Sequence, residues 1–141
     1  MATFNKFNDF SEQLVIGVQD FDGNTYKVML VNSPAPVATN SVKADLTEIS
    51  AGNGYSAGGT ATTIAVSETS GTTTVTGTQV VFTASGGSIG PFRYVVLYND
   101  TAASKNLVGW WDYGSSISLA DTETFTVKFN NASPGTIFTL V

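Results

Sequence analysis

Residues 123–129 read ETFTVKF, and this stretch decides the fold class. On an extended chain Phe125, Val127 and Phe129 fall on one side and Thr124, Thr126 and Lys128 on the other, because successive strand side chains point to opposite faces. That alternation is expected of a strand in an antiparallel sheet with one face on a core and one in water. Working outward, short extended segments of the same kind recur at Leu14–Val18, Tyr26–Val31, Thr60–Ser67, Thr73–Thr76, Gln79–Ala84, Phe92–Asn99, Leu107–Tyr113 and Ile137–Val141, with Gly, Asn, Asp, Ser and Pro between them. Nine such segments in 141 residues predict an all-β fold, an antiparallel β-sandwich of jelly-roll-like or immunoglobulin-like type.

Phe92–Asn99 departs from the half-buried pattern. Tyr94, Val96 and Tyr98 alternate with Val95, Leu97 and Asn99, so both faces are largely apolar. A central strand fits this, as does one whose outer face a second subunit covers. Asp22-Gly23-Asn24 predicts a tight hairpin, Gly77 a second reversal, Asn130–Gly135 a third, and Asn99–Asn106 a longer connection. Residues 32–59 read as a long loop.

Near the start, FNKFNDFSEQL (residues 4–14) repeats Phe4, Phe7 and Phe10 every three residues, enough for one amphipathic turn. Two readings stand: a segment tucked against its own domain, or an arm docked on a neighbouring subunit. The expected division is residues 1–13 as an N-terminal arm or short ordered segment and residues 14–141 as one β-sandwich domain. The opening is polar, with no apolar run of signal-peptide or membrane-spanning length. Neither export by a standard signal nor a membrane partner is expected; release by cell lysis, as for virus components, is the alternative.

Composition excludes whole classes of chemistry. There is no cysteine, so disulfide scaffolds, thiol nucleophiles and cysteine-held metals are out, and no histidine, which removes the usual general base and Ser-His-Asp triads. Six basic against eleven acidic residues give a net charge of -5, without the dense positive footprint that nucleic acid requires. With only 12% of residues charged, the polar surface must come largely from the twenty threonines, fourteen serines and ten asparagines. Such a surface suits an extracellular or particle-bound β protein.

Individual motifs add little chemistry. AGNGYSAGG (residues 51–59) has no lysine for a phosphate loop and Ala57 where a dinucleotide fingerprint begun by Gly52 and Gly54 needs its third glycine, and it reads instead as a loop pinned to an adjacent surface by Tyr55. Asp20, Asp22 and Asn24 have the opening spacing of a calcium loop, but Gly23 is misplaced and the closing glutamate is missing. Glu48, Glu68, Asp100, Asp112, Asp121 and Glu123 offer carboxylate pairs for glycosidase work, though most flank turns, where solvated carboxylates are ordinary. No catalytic residue, cofactor or metal is therefore assigned. In VGWWDYG (residues 108–114), Trp110 and Trp111 must face opposite ways on a strand. One fills the core; the other meets a subunit, packs beneath a loop or forms a sugar platform. Arg93, the sole arginine, reads as a surface side chain or as half of an intersubunit salt bridge. The interface candidates are thus Phe4, Phe7, Phe10, Tyr55, Arg93, Trp110 and Trp111.

YKVMLVNSPAP (residues 26–36), AGNGYSAGG (51–59), IGPFRYVVLYND (89–100) and VGWWDYG (108–114) together resemble small virion accessory proteins of tailed bacteriophages, of the class that decorates or cements capsids. The resemblance touches about two thirds of the chain and implies a non-enzymatic β-rich protein on the outer capsid surface. It would be present in many copies, commonly as trimers, bound to the major capsid protein or neighbouring virion subunits. The alternatives are a phage tail or neck structural protein and a carbohydrate-binding β-sandwich module.

Overall fold

A computed structural model describes residues 2–141; Met1, the first residue of the expected arm, lies outside the described residues. The described strands are β1 (Asn5–Lys6), β2 (Tyr26–Val31), β3 (Thr60–Thr62), β4 (Ile64–Thr69), β5 (Thr72–Gly77), β6 (Val80–Thr83), β7 (Ile89–Asn99), β8 (Leu107–Leu119), β9 (Thr124–Val127) and β10 (Gly135–Leu140), with a short α-helix, α1 (Phe10–Val15), and a 3-10 turn at Lys43–Asp45. They form an all-β fold of antiparallel pairs, in the sheet orders β1-β8-β7-β2-β3, β10-β5-β4 and β6-β9. The three sheets are separate and open.

β7 lies at the centre because both of its faces are apolar. It pairs with β2 through Tyr26↔Asn99 to Val31↔Tyr94 and with β8 through Val95↔Trp111 and Val96↔Trp110. Val28, Leu30, Val95, Leu97, Val108 and Trp111 share one core with Val75, Val80, Phe82, Val127 and Ile137 from the smaller sheets and with Phe129 just beyond β9. The opposite face buries Met29, Val31, Val96, Tyr98 and Leu107 under Phe7, Leu46 and Trp110. That cover belongs to the same chain: the loop of residues 32–59 crosses this face, with Leu107 N–H donating to Ser41 O at 2.9 Å and Ile49 N–H to Leu30 O at 3.1 Å.

Several local expectations change. Leu14–Val18 is not a strand: α1 runs to Val15, and Gly17, at φ 86°, ends the helical turn in the left-handed conformation that a side chain disfavours. Asp22-Gly23-Asn24 consequently turns from helix into β2 rather than closing a hairpin. Gly77 ends β5 ahead of β6 and the turn before Gly135 leads from β9 to β10, but in each case the flanking strands enter different sheets. Thr60–Ser67 divides between β3 and β4 for the same reason. The half-buried register of residues 124–129 stands, with Val127 and Phe129 buried, Phe125 half-buried and Thr124, Thr126 and Lys128 exposed. No helix among the described residues is long and apolar enough to cross a membrane.

Candidate functional site

The N-terminal segment is laid into its own domain. β1 pairs with β8 through Asn5↔Trp110 and Lys6↔Gly109. Phe7 is fully buried 4.5 Å from the Trp110 ring, and Phe10 is buried 5.4 Å from Phe138. Phe4, half-buried, tilts against Trp111 at 5.2 Å. Within this chain Phe7 and Phe10 are thus core rings, as in the reading of a segment tucked against its own domain: Trp110 packs on Phe7, and Phe21 and Phe138 pack on Phe10.

Trp111 points inward, 5.4 Å from Phe129, while Trp110 stands half-buried on the other face under Phe7. Of the three roles weighed for the outward ring, the structure gives it packing beneath its own chain. Arg93 makes a bidentate pair, Nε to Asp112 Oδ1 at 2.8 Å and Nη2 to Asp112 Oδ2 at 3.1 Å, but across β7 and β8 of one chain rather than between subunits. This hydrogen bonding, aided by Gly114 N–H, holds the Asp112 carboxyl below its ordinary pKa.

Tyr55 is a buried clasp. Its hydroxyl donates to Glu48 Oε1 at 2.8 Å and accepts from Leu30 N–H at 3.0 Å, and burial pushes its ionisation well above the usual phenol range. The same Glu48 oxygen accepts from Gly58 N–H at 2.6 Å, while Oε2 lies 3.1 Å from Lys43 Nζ. Tyr98 adds a 2.6 Å bond to Gly58 O. The glycine-rich loop is thereby fastened to the sheet, and Tyr55 has no surface to offer a partner.

The carboxylates weighed for catalysis are occupied structurally. Asp100 pairs with Lys27 and Lys105, Asp112 with Arg93 and Glu48 with Lys43. Glu68, Asp121 and Glu123 accept from backbone N–H groups of Gly71, Gly86 and Ala120. At the calcium-like turn, Asp20 Oδ1 accepts from Asp22 and Gly23 N–H, an Asx turn that accounts for the spacing. Among the described residues no three Asp or Glu side chains gather as a metal site.

Two surfaces carry much of the apolar exposure. One is a ridge where Leu14, Phe138 and Leu140 separate two adjoining grooves, of about 250 and 610 Å³. Val15 is 85% exposed there, Leu140 54% and Val66 44%. The other is a groove of about 280 Å³ lined by Trp111, Tyr113 and Phe125, with Thr126, Lys128 and Asn131 among its polar members. The available signal for the ridge was LVIGV (residues 14–18): as a helix end it cannot bury all its aliphatic side chains, whereas as a strand it would have hidden half of them.

The chain matches no protein-family model, no curated protein and no solved structure.

Proposed function

We propose that this chain is a non-enzymatic structural subunit of a tailed-bacteriophage virion, decorating or cementing the outer capsid surface. Its action is adhesive: apolar surface leaves water at subunit junctions, and weak contacts repeated by symmetry add up across the shell. In this reading the smaller sheets laid on the five-stranded sheet are the two layers of an irregular β-sandwich, and trimers are the favoured assembly.

The observation that carries the reading is the aliphatic ridge of Leu14, Val15, Val66 and Leu140, the kind of exposed apolar surface that marks an interaction site. Contacts with the major capsid protein or with neighbouring subunits would cover it. The test is antibody labelling of phage particles from the source culture, imaged by electron microscopy, with the native mass of the isolated protein. Label on heads and a trimeric mass are expected. Label confined to tails or necks would establish the tail alternative instead, and unlabelled particles would overturn the virion reading.

The carbohydrate-binding module has one observation in its favour. Tyr113, 53% exposed, stands edge-on to Phe125 at 5.5 Å in a groove that also holds Asn131 and Lys128, which gives stacking and hydrogen-bonding groups together. Titration against a glycan panel decides it: saturable binding lost in Tyr113→Ala would favour the module, and no binding would exclude it.

A further inference from the structure

We propose that the aliphatic ridge docks a lysine- or arginine-rimmed apolar surface on a different protein, not a second copy of this chain. This rests on the reading of the ridge as an interface and adds the chemistry of its partner. The carrying relationship is the placement of charge. Asp20 and Asp22 line the same groove as Leu14, Val66 and Leu140. Glu68 lies two residues beyond Val66 on the same side of β4, next to the groove residue Thr73 with which it is in register. Glu12 precedes Val15 by three positions on α1, so the two share a helix face.

Among the described residues none of these four carboxylates is in a salt bridge, and the cations are committed elsewhere: Lys27 and Lys105 to Asp100, Lys43 to Glu48 and Arg93 to Asp112. Among the described cations only Lys6 shares the ridge, lining its second groove with its Nζ 2.6 Å from Ser11 Oγ. The ridge therefore presents aliphatic side chains inside a rim of four acids against one lysine. Docking two ridges face to face would bring those acids together as water leaves, which is unfavourable. Nor do the described residues carry a basic border elsewhere: Lys128, the remaining lysine outside the ion pairs, stands by itself as a basic side chain in the aromatic groove. A partner with an apolar centre and basic border satisfies both the ridge and its rim.

The probes are two synthetic amphipathic helical peptides with the same leucine face, one bordered by lysine and the other by glutamate, titrated into the full chain with backbone amide shifts recorded. The lysine-bordered peptide should shift Leu14, Val15, Val66 and Leu140 and bind at least about tenfold more tightly than its twin, with the margin shrinking as salt rises. Glu12→Lys with Asp22→Lys, both at exposed side chains without an ion pair, should abolish that margin without lowering the melting temperature. Equal binding of both peptides, an unchanged margin in the double variant, or a ridge-to-ridge dimer broken by Val15→Glu would each overturn the proposed partner. The last would still leave the ridge an interface. If neither peptide shifts the ridge, docking there is refuted, while the virion reading is judged separately by particle labelling.

Discussion

Trp110 and Trp111 are consecutive in the chain yet anchor opposite faces of one sheet, the first 4.5 Å from Phe7 and the second 5.4 Å from Phe129. Trp111 is 7% exposed and packs with the core shared by all three sheets, so Trp111→Ala should cost about 3–5 kcal/mol in urea denaturation. Trp110, half-buried beneath the N-terminal segment, should cost less. The distinguishing measurement is amide exchange: Trp110→Ala should accelerate exchange around Phe7 without exposing β9, whereas Trp111→Ala should loosen β9 as well. Identical exchange patterns would mean that the two faces are not energetically separate.

Gly109 makes the N-terminal segment's place possible. A Cβ there would fall onto the Phe4 ring and lie 2.8 Å from Asn5 O, so Gly109→Ala should push β1 off β8. Loss of amide protection at residues 5 and 6 would show this, and Phe4→Ala in the same chain should recover only part of it because the backbone contact remains. Retention of full protection in Gly109→Ala would refute the account.

In the same way, Phe129→Ala should cost about 3–5 kcal/mol while Thr126→Ala stays within about 0.5 kcal/mol, since Phe129 is 1% exposed and Thr126 faces water. Chemical denaturation of both variants checks the register of β9.

What the sequence made legible follows from the reach of each physical signal. Period-two alternation is local, so the register of Thr124–Phe129 and the two-faced burial of Val95–Tyr98 could be read directly. Sheet membership is not local. Nothing in TTTVTG (residues 72–77) or in VVFT (80–83) states that they join different sheets. Leu14–Val18 misled because a run of aliphatic residues fits a strand and a helix end alike, and only the conformation at Gly17 separates them. The site was legible least. Phe7, Phe10, Tyr55 and Trp111 stood out as large aromatic residues, and size is also what drives a ring into the core. The ridge is assembled from α1, β4 and β10, which no sequence window contains.

The pH dependence should be steep at both ends, with signs set by different groups. Tyr26, Tyr55 and Tyr98 have phenols pushed above their ordinary range, each chiefly by burial. The unfolded chain loses these protons from about pH 10 while the native state keeps them, so stability present below that point falls as pH rises through it. Absorbance at 295 nm should therefore rise for these three together with unfolding. On the acid side, the hydrogen bond from Lys105 and then that from Lys27 lower the Asp100 carboxyl. Its contribution is present above the unfolded value near about pH 3.9 and lost as pH falls toward the depressed native one. Asp100→Asn should flatten that acid limb, and an unchanged limb would assign the loss to other carboxylates.

Tyr55→Phe isolates the clasp that fastens the glycine-rich loop. The ring remains to pack at 5.6 Å against Phe82, so little apolar area is lost, but the hydroxyl that joins Leu30 N–H to Glu48 disappears. Leu30 is fully buried, and its N–H is left without the Tyr55 acceptor. An unsatisfied buried donor costs about 1–3 kcal/mol, more than the net worth of an ordinary hydrogen bond, so the loss should exceed that of an exposed Tyr→Phe change such as Tyr113→Phe. Glu48 keeps Gly58 N–H and Lys43, so the loop should stay docked and loosen only locally. Amide exchange at Leu30 and Gly58 reads the two halves of the clasp. Faster exchange at Leu30 with Gly58 still protected is the expected pattern, whereas release of both would mean that Tyr55 alone holds the loop, and no change at either would show that the hydroxyl carries no load.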